Sequence, residues 1–353
     1  MGRYPGGEMA SRISSSTVKG IHMRVFARRS AAAIAAAAVL AGGVVGCSSS
    51  DANETTPSST TSTQQATVTI VHRAGTTELS SVPTKIFVAD DVWMDSLLAF
   101  DVQPVGYDIG PRDGDAPGAL PWQTNLSKSA KELYGKDGAP FEQIAALDPD
   151  LILGYNYETT DVYNQLNAIA PTIGIIGAAE MDPWEDRIRA VGKILHRESD
   201  GEKIIASTND SIKAVATELP GLDGKTAVLG KYFAANGQVG LVADPDDGTS
   251  KVFAQLGMTV PQQLIDMAAA GGASGRVLVS PEQIDVISAD VVVLGATQED
   301  IAKLPGFDQL PSVRTGGMAV VNDTVVAAFN LPSSLSIPWA IGQIKPSLQA
   351  AAK

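Results

Sequence analysis

The sequence predicts an α/β protein of two lobes, each with a mostly parallel sheet, joined by one long rigid α-helix. Two series of short apolar strands alternate with helical stretches, which is typical of parallel sheets covered on both faces. A predicted helix over residues 199–220 separates the two series, and about twenty helical residues would measure roughly 30 Å. The third observation is a repeated segment, with one copy in each series.

The first series occupies residues 67–198, which we expect to form the N-terminal lobe. Its first stretch alternates between polar and apolar residues, as a half-buried strand does. The later strands are short apolar runs separated by helical stretches. We predict strands over residues 67–71, 85–89, 104–107, 151–153 and 172–176, and helices over 92–100, 142–146 and 162–169.

Two further helices are marked by residues that favour helix starts. Asp182 followed by Pro183 predicts an N-cap and a proline in the first turn. Ser199 and Glu202 have the spacing of a capping box, which predicts the start of the linking helix. That helix is expected to stop at Pro220, because proline cannot continue a helix and a glycine follows it.

The second series occupies residues 221–353, which we expect to form the C-terminal lobe. The same alternation of short apolar runs and helical stretches returns there. We predict strands over residues 226–230, 239–242, 290–294 and 319–321, and helices over 250–256 and from 336 onward.

The repeated segment reads EQIAALDPDLILG from Glu142 and EQIDVISADVVVLG from Glu282, 140 positions later. In both copies an aspartate follows eight residues after the glutamate and precedes a buried strand. The copies fall at corresponding places in the two series. We therefore interpret them as one helix–strand unit that is used once in each lobe.

Residues 1–46 have the features of a secretion signal. Three arginines precede an apolar run over residues 31–45, which is too short to cross a bilayer comfortably and fits a signal peptide. The run ends at Cys47 in a sequence that resembles a bacterial lipobox, so cleavage before Cys47 and its lipidation are expected. The alternative is an ordinary signal peptide followed by a chance cysteine, although Cys47 is the only cysteine in the chain.

Residues 47–66 are predicted to form the lipidated cysteine and a disordered tether, because residues 48–66 contain no large apolar side chain to bury. The tether would hold the body at the extracytoplasmic face of the cell membrane. Removing the six basic residues and one acidic residue of positions 1–46 leaves 20 basic and 38 acidic residues. This acidic balance argues against nucleic-acid partners.

Six segments of the body carry a resemblance to a known class of protein. They are VPTKIFV from Val82, LLAFDVQPVG from Leu97, EQIAALDPDLI from Glu142, residues 166–171, SPEQI from Ser280 and LPSSLSIP from Leu331. Together they resemble the siderophore, haem and cobalamin class of ABC-importer solute-binding proteins, also called ferrichrome-binding-like. The resemblance covers residues 67–353, and the last segment is similar to the ending of actinobacterial ferric-siderophore-binding lipoproteins.

The resemblance implies two αβ lobes with the ligand in the cleft between them, and a monomer that is not an enzyme. It also implies a permease with its ATPase as partner. The signature glutamates of the class carry over to Glu142 and Glu282, which would dock onto permease arginines. Two exposed carboxylates on a rigid body suit that role. The alternative is that each only complements the dipole of its own helix.

Ligand contacts are expected in loops that follow the strands. A ferric siderophore is bulky and often anionic, so aromatic faces and guanidinium groups suit it. The charged candidates are Arg276 and Arg112, and the aromatic candidates are Tyr155, Tyr157, Trp93 and Tyr232. Each of them could instead be a rim or core residue.

No cofactor is expected other than the ligand itself. Only His72 and His196 lie beyond the signal, and no cluster has the spacing of metal ligands. Any iron would therefore arrive chelated. Haem held by an axial tyrosine, Tyr155 or Tyr232, is an alternative.

The leading interpretation is a lipid-anchored solute-binding protein that delivers a ferric siderophore to an ABC importer. Haem or cobalamin binding is the alternative within the same class. A cell-envelope scaffold lipoprotein with a degenerate cleft is the alternative from a different class. A secreted hydrolase would have to use His72 or His196, neither of which lies in a promising loop.

Overall fold

A computed structural model describes residues 67–109, 119–133, 138–154, 160–177, 182–271 and 275–353. These described residues form one compact unit. It contains a two-stranded hairpin and two five-stranded sheets, each surrounded by helices. The predicted two-lobed α/β architecture is confirmed.

The N-terminal lobe begins with the hairpin and continues into alternating strands and helices. Its elements are β1 (Val68–His72), β2 (Gly75–Leu79), β3 (Ile86–Val88), α1 (Asp91–Ala99), β4 (Gly106–Tyr107), β5 (Lys131–Glu132), α2 (Phe141–Ala145), β6 (Leu151–Leu153), α3 (Thr160–Ile169), β7 (Thr172–Ile173) and α4 (Trp184–Ile194).

The long helix α5 (Glu198–Glu218) leads from the N-terminal lobe to the C-terminal lobe. The C-terminal lobe adds three 3-10 turns, Pro220–Leu222, Pro281–Val286 and Phe307–Gln309. Its other elements are β8 (Ala227–Phe233), β9 (Gln238–Val242), α6 (Gly248–Gln255), α7 (Gln262–Ala270), β10 (Arg276–Val279), β11 (Val291–Gly295), α8 (Gln298–Ile301), α9 (Pro311–Thr315), β12 (Met318–Val321), α10 (Asp323–Asn330) and α11 (Ser336–Ala351).

All strands of the first sheet are parallel, in the order β5-β4-β3-β6-β7. The central strands β3 and β6 are fully buried, which explains their continuous apolar sequences. Because the strands are parallel, their carboxyl ends meet at one edge of the sheet, where ligands commonly bind in open α/β folds.

The second sheet has the order β10-β9-β8-β11-β12, and here β9 runs against its neighbours. The strands β8, β11 and β12 are parallel. A tight turn after Phe233, with Gly237 at φ +70°, reverses the chain into β9. Neither this reversal nor strand β10, in which Arg276 and Leu278 are exposed, was predicted from the sequence.

The two repeated segments make the same contacts in both lobes. In the first, Asp150 Oδ2 accepts hydrogen bonds from Thr84 N at 2.7 Å and Thr84 Oγ1 at 2.9 Å. In the second, Asp290 Oδ2 accepts from Thr226 N and Thr226 Oγ1, both at 2.8 Å. In each lobe the aspartate thus fastens the start of one central strand to the start of its parallel neighbour. This equivalence supports the interpretation of the repeat as one unit used twice.

Alternate residues of the central strands divide the apolar side chains among three cores. Phe87 and Ile152 pack into an outer core of the N-terminal lobe, and Val228 and Val292 into one of the C-terminal lobe. Residues on the opposite strand faces join a single core that also contains α5 and α11. Members of this shared core include Ile86, Leu151, Ile205, Ile212, Leu229, Val293, Ile341 and Ile344.

The two predicted helix caps are wrong. The side chain of Asp182 does not cap α4; it accepts hydrogen bonds from Ile176 N and Gly177 N instead. Helix α5 begins one residue earlier than predicted, so Ser199 lies inside it, and Glu202 accepts from Arg189 Nε at 2.9 Å rather than closing a capping box.

A buried arginine ties three segments together beside the first sheet. Arg187 on α4 lies 3.1 Å from Asp90 Oδ1 and 3.5 Å from Asp182 Oδ2, and its guanidinium covers the ring of Trp93 at 5.4 Å. Asp90 also caps α1 through Trp93 N. Trp93, a predicted ligand contact, has no exposed surface and is a core residue instead.

Arg187 should matter far more to stability than its neighbour Arg189. We expect Arg187→Met to lower the free energy of unfolding by about 3 kcal/mol, because it leaves partly buried carboxylates without their cation. Arg189, whose side chain is 49% exposed on the same helix, is the matched control, and Arg189→Met should cost less than about 1 kcal/mol. Urea unfolding of both variants checks this, and equal losses would contradict the assignment.

Candidate ligand-binding site

The carboxyl ends of β8, β11 and β12 open into a cavity of about 770 Å³. This volume is typical of small-molecule sites, which measure roughly 300–1,000 Å³. The lining residues are the last residues of the three strands and those that follow them, which is where the topology predicts a ligand. They include Lys231, Tyr232, Phe233, Thr297, Gln298, Asn322, Asp323 and Thr324.

Polar groups at the mouth of this cavity are fixed by local hydrogen bonds. Lys231 Nζ lies 3.0 Å from Asp323 Oδ2, which joins the end of β8 to the start of α10. Asn322 caps α10 through Val325 N, and Thr297 forms a capping box with Asp300 on α8. These groups therefore give the cavity a rim of fixed polar geometry.

Tyr232, a predicted ligand contact, lines the cavity with only 7% of its surface exposed. Most of its side chain packs in the outer core of the C-terminal lobe. It therefore presents little surface to a ligand, and its contact with one stays a prediction.

Arg276, the other C-terminal candidate that the structure describes, starts the edge strand β10. Its Nη2 lies 3.1 Å from Asp247 Oδ2 and 3.0 Å from Asn330 Oδ1. Asp247 caps α6 and Asn330 ends α10, so the guanidinium joins two helix ends. The side chain is 42% exposed, which leaves part of the guanidinium accessible to an anionic group.

Two exposed apolar side chains from nearby strands, Phe233 and Leu278, approach each other, and their pairing was not predicted from the sequence. Phe233 is 41% and Leu278 58% exposed. Both lie over Gly240: a Cβ there would be 2.6 Å from Phe233 Cε2 and 3.5 Å from Leu278 Cδ2. Leu278 shares a strand face with Arg276, since residues two apart on a strand point the same way. A glycine inside a strand was the available signal for this close approach.

The two predicted docking glutamates occupy equivalent positions. Glu142 and Glu282 are both exposed in the first turn of their segments, and the isoleucine two residues later is buried in each copy. A hydrogen bond from its own backbone N–H and another from the Ser280 hydroxyl lower the pKa of Glu282. Both side chains are thus accessible carboxylates, and their docking role stays a prediction.

Several predicted residues lie outside the described part of the chain. These are Cys47, Arg112, Tyr155 and Tyr157. Of the two histidines discussed above, His72 is buried in β1 and bonded to Thr77, and His196 follows α4 with φ +53°. Within the described ranges, no group of three or more His, Cys, Asp or Glu side chains could hold a metal ion.

Known proteins share both the sequence pattern and the fold. The chain is 26% identical to the probable siderophore-binding lipoprotein YfiY of Bacillus subtilis over 205 residues, which are 57% of this chain and 60% of the relative. A periplasmic solute-binding protein of Mycobacterium smegmatis superposes with a TM-score of 0.69 and 27% identity, covering 81% of this chain and 99% of that one.

A third similar protein is PiaA of Streptococcus pneumoniae, solved in complex with ferrichrome. It gives a TM-score of 0.65 at 25% identity, covering 81% of this chain and 98% of that chain. Residues 106–323 match the family described as periplasmic binding protein. That match covers more than half of the sequence and includes the cavity-forming strand ends of the second sheet. The chain therefore belongs to the periplasmic binding protein family.

Proposed function

We propose that this protein is the extracytoplasmic solute-binding component of an ABC importer and that it binds a ferric siderophore. The observation that carries the proposal is the cavity at the strand ends of the C-terminal lobe, in a fold similar to that of PiaA solved with ferrichrome. The similarity to a probable siderophore-binding lipoprotein supports the same class of ligand.

The chemistry of the C-terminal lobe suits a bulky anionic chelate. Arg276 offers part of a charged guanidinium, and Phe233, which lines the cavity, offers an exposed aromatic side chain. A guanidinium and an aromatic face are the groups that recognise planar anionic ligands. We propose that Phe233 lines the binding site, that Arg276 contributes to it from the same lobe, and that Arg112, Tyr155 and Tyr157 contribute from the N-terminal lobe.

The protein acts by binding and delivery, without catalysis. We propose that Cys47 carries the lipid anchor and that residues 48–66 tether the body to the outer face of the cell membrane. In the described part of the chain no helix is both long and apolar enough to cross a membrane. An anchor at Cys47 would fix the protein beside its permease while leaving the body free to collect ligand.

The ligand class can be tested by tryptophan fluorescence of the purified protein. The titration uses ferric and iron-free siderophores, haemin and cobalamin. We expect saturable quenching by a ferric siderophore, because Trp122 and Trp339 contact each other across the junction of the lobes. A response to haemin or cobalamin alone would replace the proposed ligand, and no response from folded protein would contradict the binding function.

Arg276→Ala should weaken the binding of that ferric siderophore about tenfold, which corresponds to one charge-assisted hydrogen bond. The matched control is Arg314→Ala, which removes an exposed arginine from α9 in the same lobe. The control should bind as the unaltered protein does. Equal affinities for the two variants would remove Arg276 from the site.

Uptake by cells tests the docking role of the two glutamates. The double variant Glu142→Ala/Glu282→Ala should bind siderophore normally and abolish iron uptake, because the carboxylates would pair with permease arginines. The control is Gln143→Ala/Gln283→Ala, which changes the exposed neighbours in both copies of the repeat. Full uptake by the glutamate variant would refute docking through these residues.

A further inference from the structure

A buried carboxylate lies where the two lobes meet. Asp95 on α1 is 1% exposed, and three side chains donate hydrogen bonds to it. Trp122 Nε1 and Gln123 Nε2 donate from the N-terminal lobe at 2.8 and 2.7 Å. Ser333 Oγ donates from the C-terminal lobe at 2.5 Å, across 238 positions of sequence. One carboxylate therefore joins the lobes.

The serine that reaches Asp95 is itself held in a closed turn, residues 331–335, between α10 and α11. Its Oγ accepts hydrogen bonds from Ser336 N at 2.9 Å and Leu335 N at 3.3 Å. Because that oxygen already accepts from the backbone, its own proton points to Asp95. The arrangement fits an ionised carboxylate, which can only accept.

A ring contact lies beside this hydrogen bond. Trp122, which donates to Asp95, packs on Trp339 of α11 with ring centroids 5.0 Å apart and planes at 51°. Such tilted aromatic pairs are favourable beyond their buried area. The same indole therefore touches both the carboxylate of one lobe and a helix of the other.

Few charges act on Asp95. Burial is the largest cause that raises its pKa, to about 6, and the bonds from Ser333, Gln123 and Trp122 act in the opposite direction. The carboxylate of Asp90 also raises it, although Asp90 is paired with Arg187. Asp91 lies one helical turn before Asp95 on α1.

Among the described residues, the side chains that hydrogen-bond to Asp95, and the ring that packs on Trp122, are uncharged. They are Trp122, Gln123, Ser333 and Trp339. The protonation of Asp95 is therefore governed by its burial and by its hydrogen bonds.

We propose that Asp95 is the positioning residue of the ligand site. Its ionised carboxylate holds the turn 331–335 against α1 through the hydrogen bond from Ser333, and we call this contact the seat of the turn. That turn follows directly from Asn330, whose side chain accepts a hydrogen bond from Arg276, so the contact of Asp95 with the turn sets where Arg276 lies relative to the N-terminal lobe. This inference rests on the proposed function, because it assigns Asp95 a part in the same binding site.

Protonation should disturb the seat. A protonated carboxyl group must donate one hydrogen bond, yet all three partners of Asp95 are arranged as donors. At least one of these bonds must then be lost or reversed. The bond from Ser333 is the one that links the lobes, so acidification through the pKa of Asp95 should change this local contact, although the protonated carboxyl group costs less to bury than the ionised one.

The effect on stability has a defined sign. Folding raises the pKa of Asp95 from its ordinary value of 3.8 to about 6, so the folded protein holds the proton more tightly than the unfolded chain. The stability that this provides is complete below about pH 4 and is lost as the pH rises through about 6. The free energy of unfolding of the unaltered protein, relative to that of Asp95→Asn, should therefore fall as the pH rises from about 4 through about 6.

Tryptophan fluorescence of the full-length protein, measured against pH without ligand, tests the seat directly. We expect a transition near pH 6 from Trp122, and its absence in Asp95→Asn. Ser333→Ala should raise the midpoint, because it removes a hydrogen bond that lowers the pKa of Asp95. The matched control is Ser96→Ala, which changes a buried serine on α1 whose hydroxyl donates to Val92 O within the same helix.

The transition should stay near pH 6 in Ser96→Ala. A transition that persists in Asp95→Asn, or a midpoint unmoved by Ser333→Ala, would overturn the assignment.

Binding measurements then connect the seat to the site. With whichever ferric siderophore saturates the unaltered protein, Ser333→Ala should bind about threefold to tenfold more weakly at pH 7.5, and Ser96→Ala equally well. Because the variants and the unaltered protein are compared with the same siderophore at the same pH, the ratio of their affinities does not depend on the titration of the siderophore itself. Unchanged affinity in Ser333→Ala would overturn the positioning role. If no siderophore binds, the proposed function fails, and the fluorescence transition still decides whether Asp95 couples the lobes.

Discussion

The inner faces of both sheets pack against one apolar core, and the rest of the structure depends on that shared burial. Alternate residues of β3 and β6 and alternate residues of β8 and β11 belong to one continuous core that also contains residues of α5 and α11. Burial of apolar area is the dominant stabilising contribution in folding, at about 25 cal/mol per Å². Because this core continues from one lobe into the other, moving one lobe away from the other would expose part of it. The loops at the strand ends are therefore held in one relative arrangement.

Polar contacts at this junction fix the relative positions of the elements more closely than apolar packing alone would, because hydrogen bonds depend on direction. Arg187 fixes α4 to the start of α1 through Asp90, and Asp95, one turn further along α1, reaches the C-terminal lobe through Ser333. A buried carboxylate is costly unless it is hydrogen-bonded, and each of these bonds has a narrow geometry. Helix α1, which borders the first sheet, thus also holds the turn that precedes α11 in place.

The elements that could be predicted from sequence are those with a local pattern. Fully apolar runs such as 151–153 gave the central strands, and the repeat at Glu142 and Glu282 indicated two related lobes before any contact was known. Local pattern failed where tertiary contacts took over. Asp182 looks like a helix cap, but it bonds to backbone groups in the preceding loop.

The site was harder to predict than the fold, because its contacts are long-range. Asp95 looks like an ordinary polar residue of a helix, and its partner Ser333 is 238 positions away. The segment from Leu331 was noticed only for its resemblance to related proteins. Trp93 was expected to face a ligand because it follows a strand, yet the guanidinium of Arg187 covers its ring. Phe233 and Leu278 become neighbours only through the reversal of β9.

The most direct test of a shared core is urea unfolding of the purified protein, followed in parallel by tryptophan fluorescence and far-ultraviolet circular dichroism. The tryptophans report the N-terminal lobe and the junction, since Trp93, Trp122 and Trp184 belong to the shared core and Trp339 packs on it. Circular dichroism reports the helices of both lobes. The account predicts one transition with the same midpoint by both probes, as expected of a single cooperative unit. Two separate transitions, with the C-terminal helices melting apart from the tryptophan signal, would contradict it.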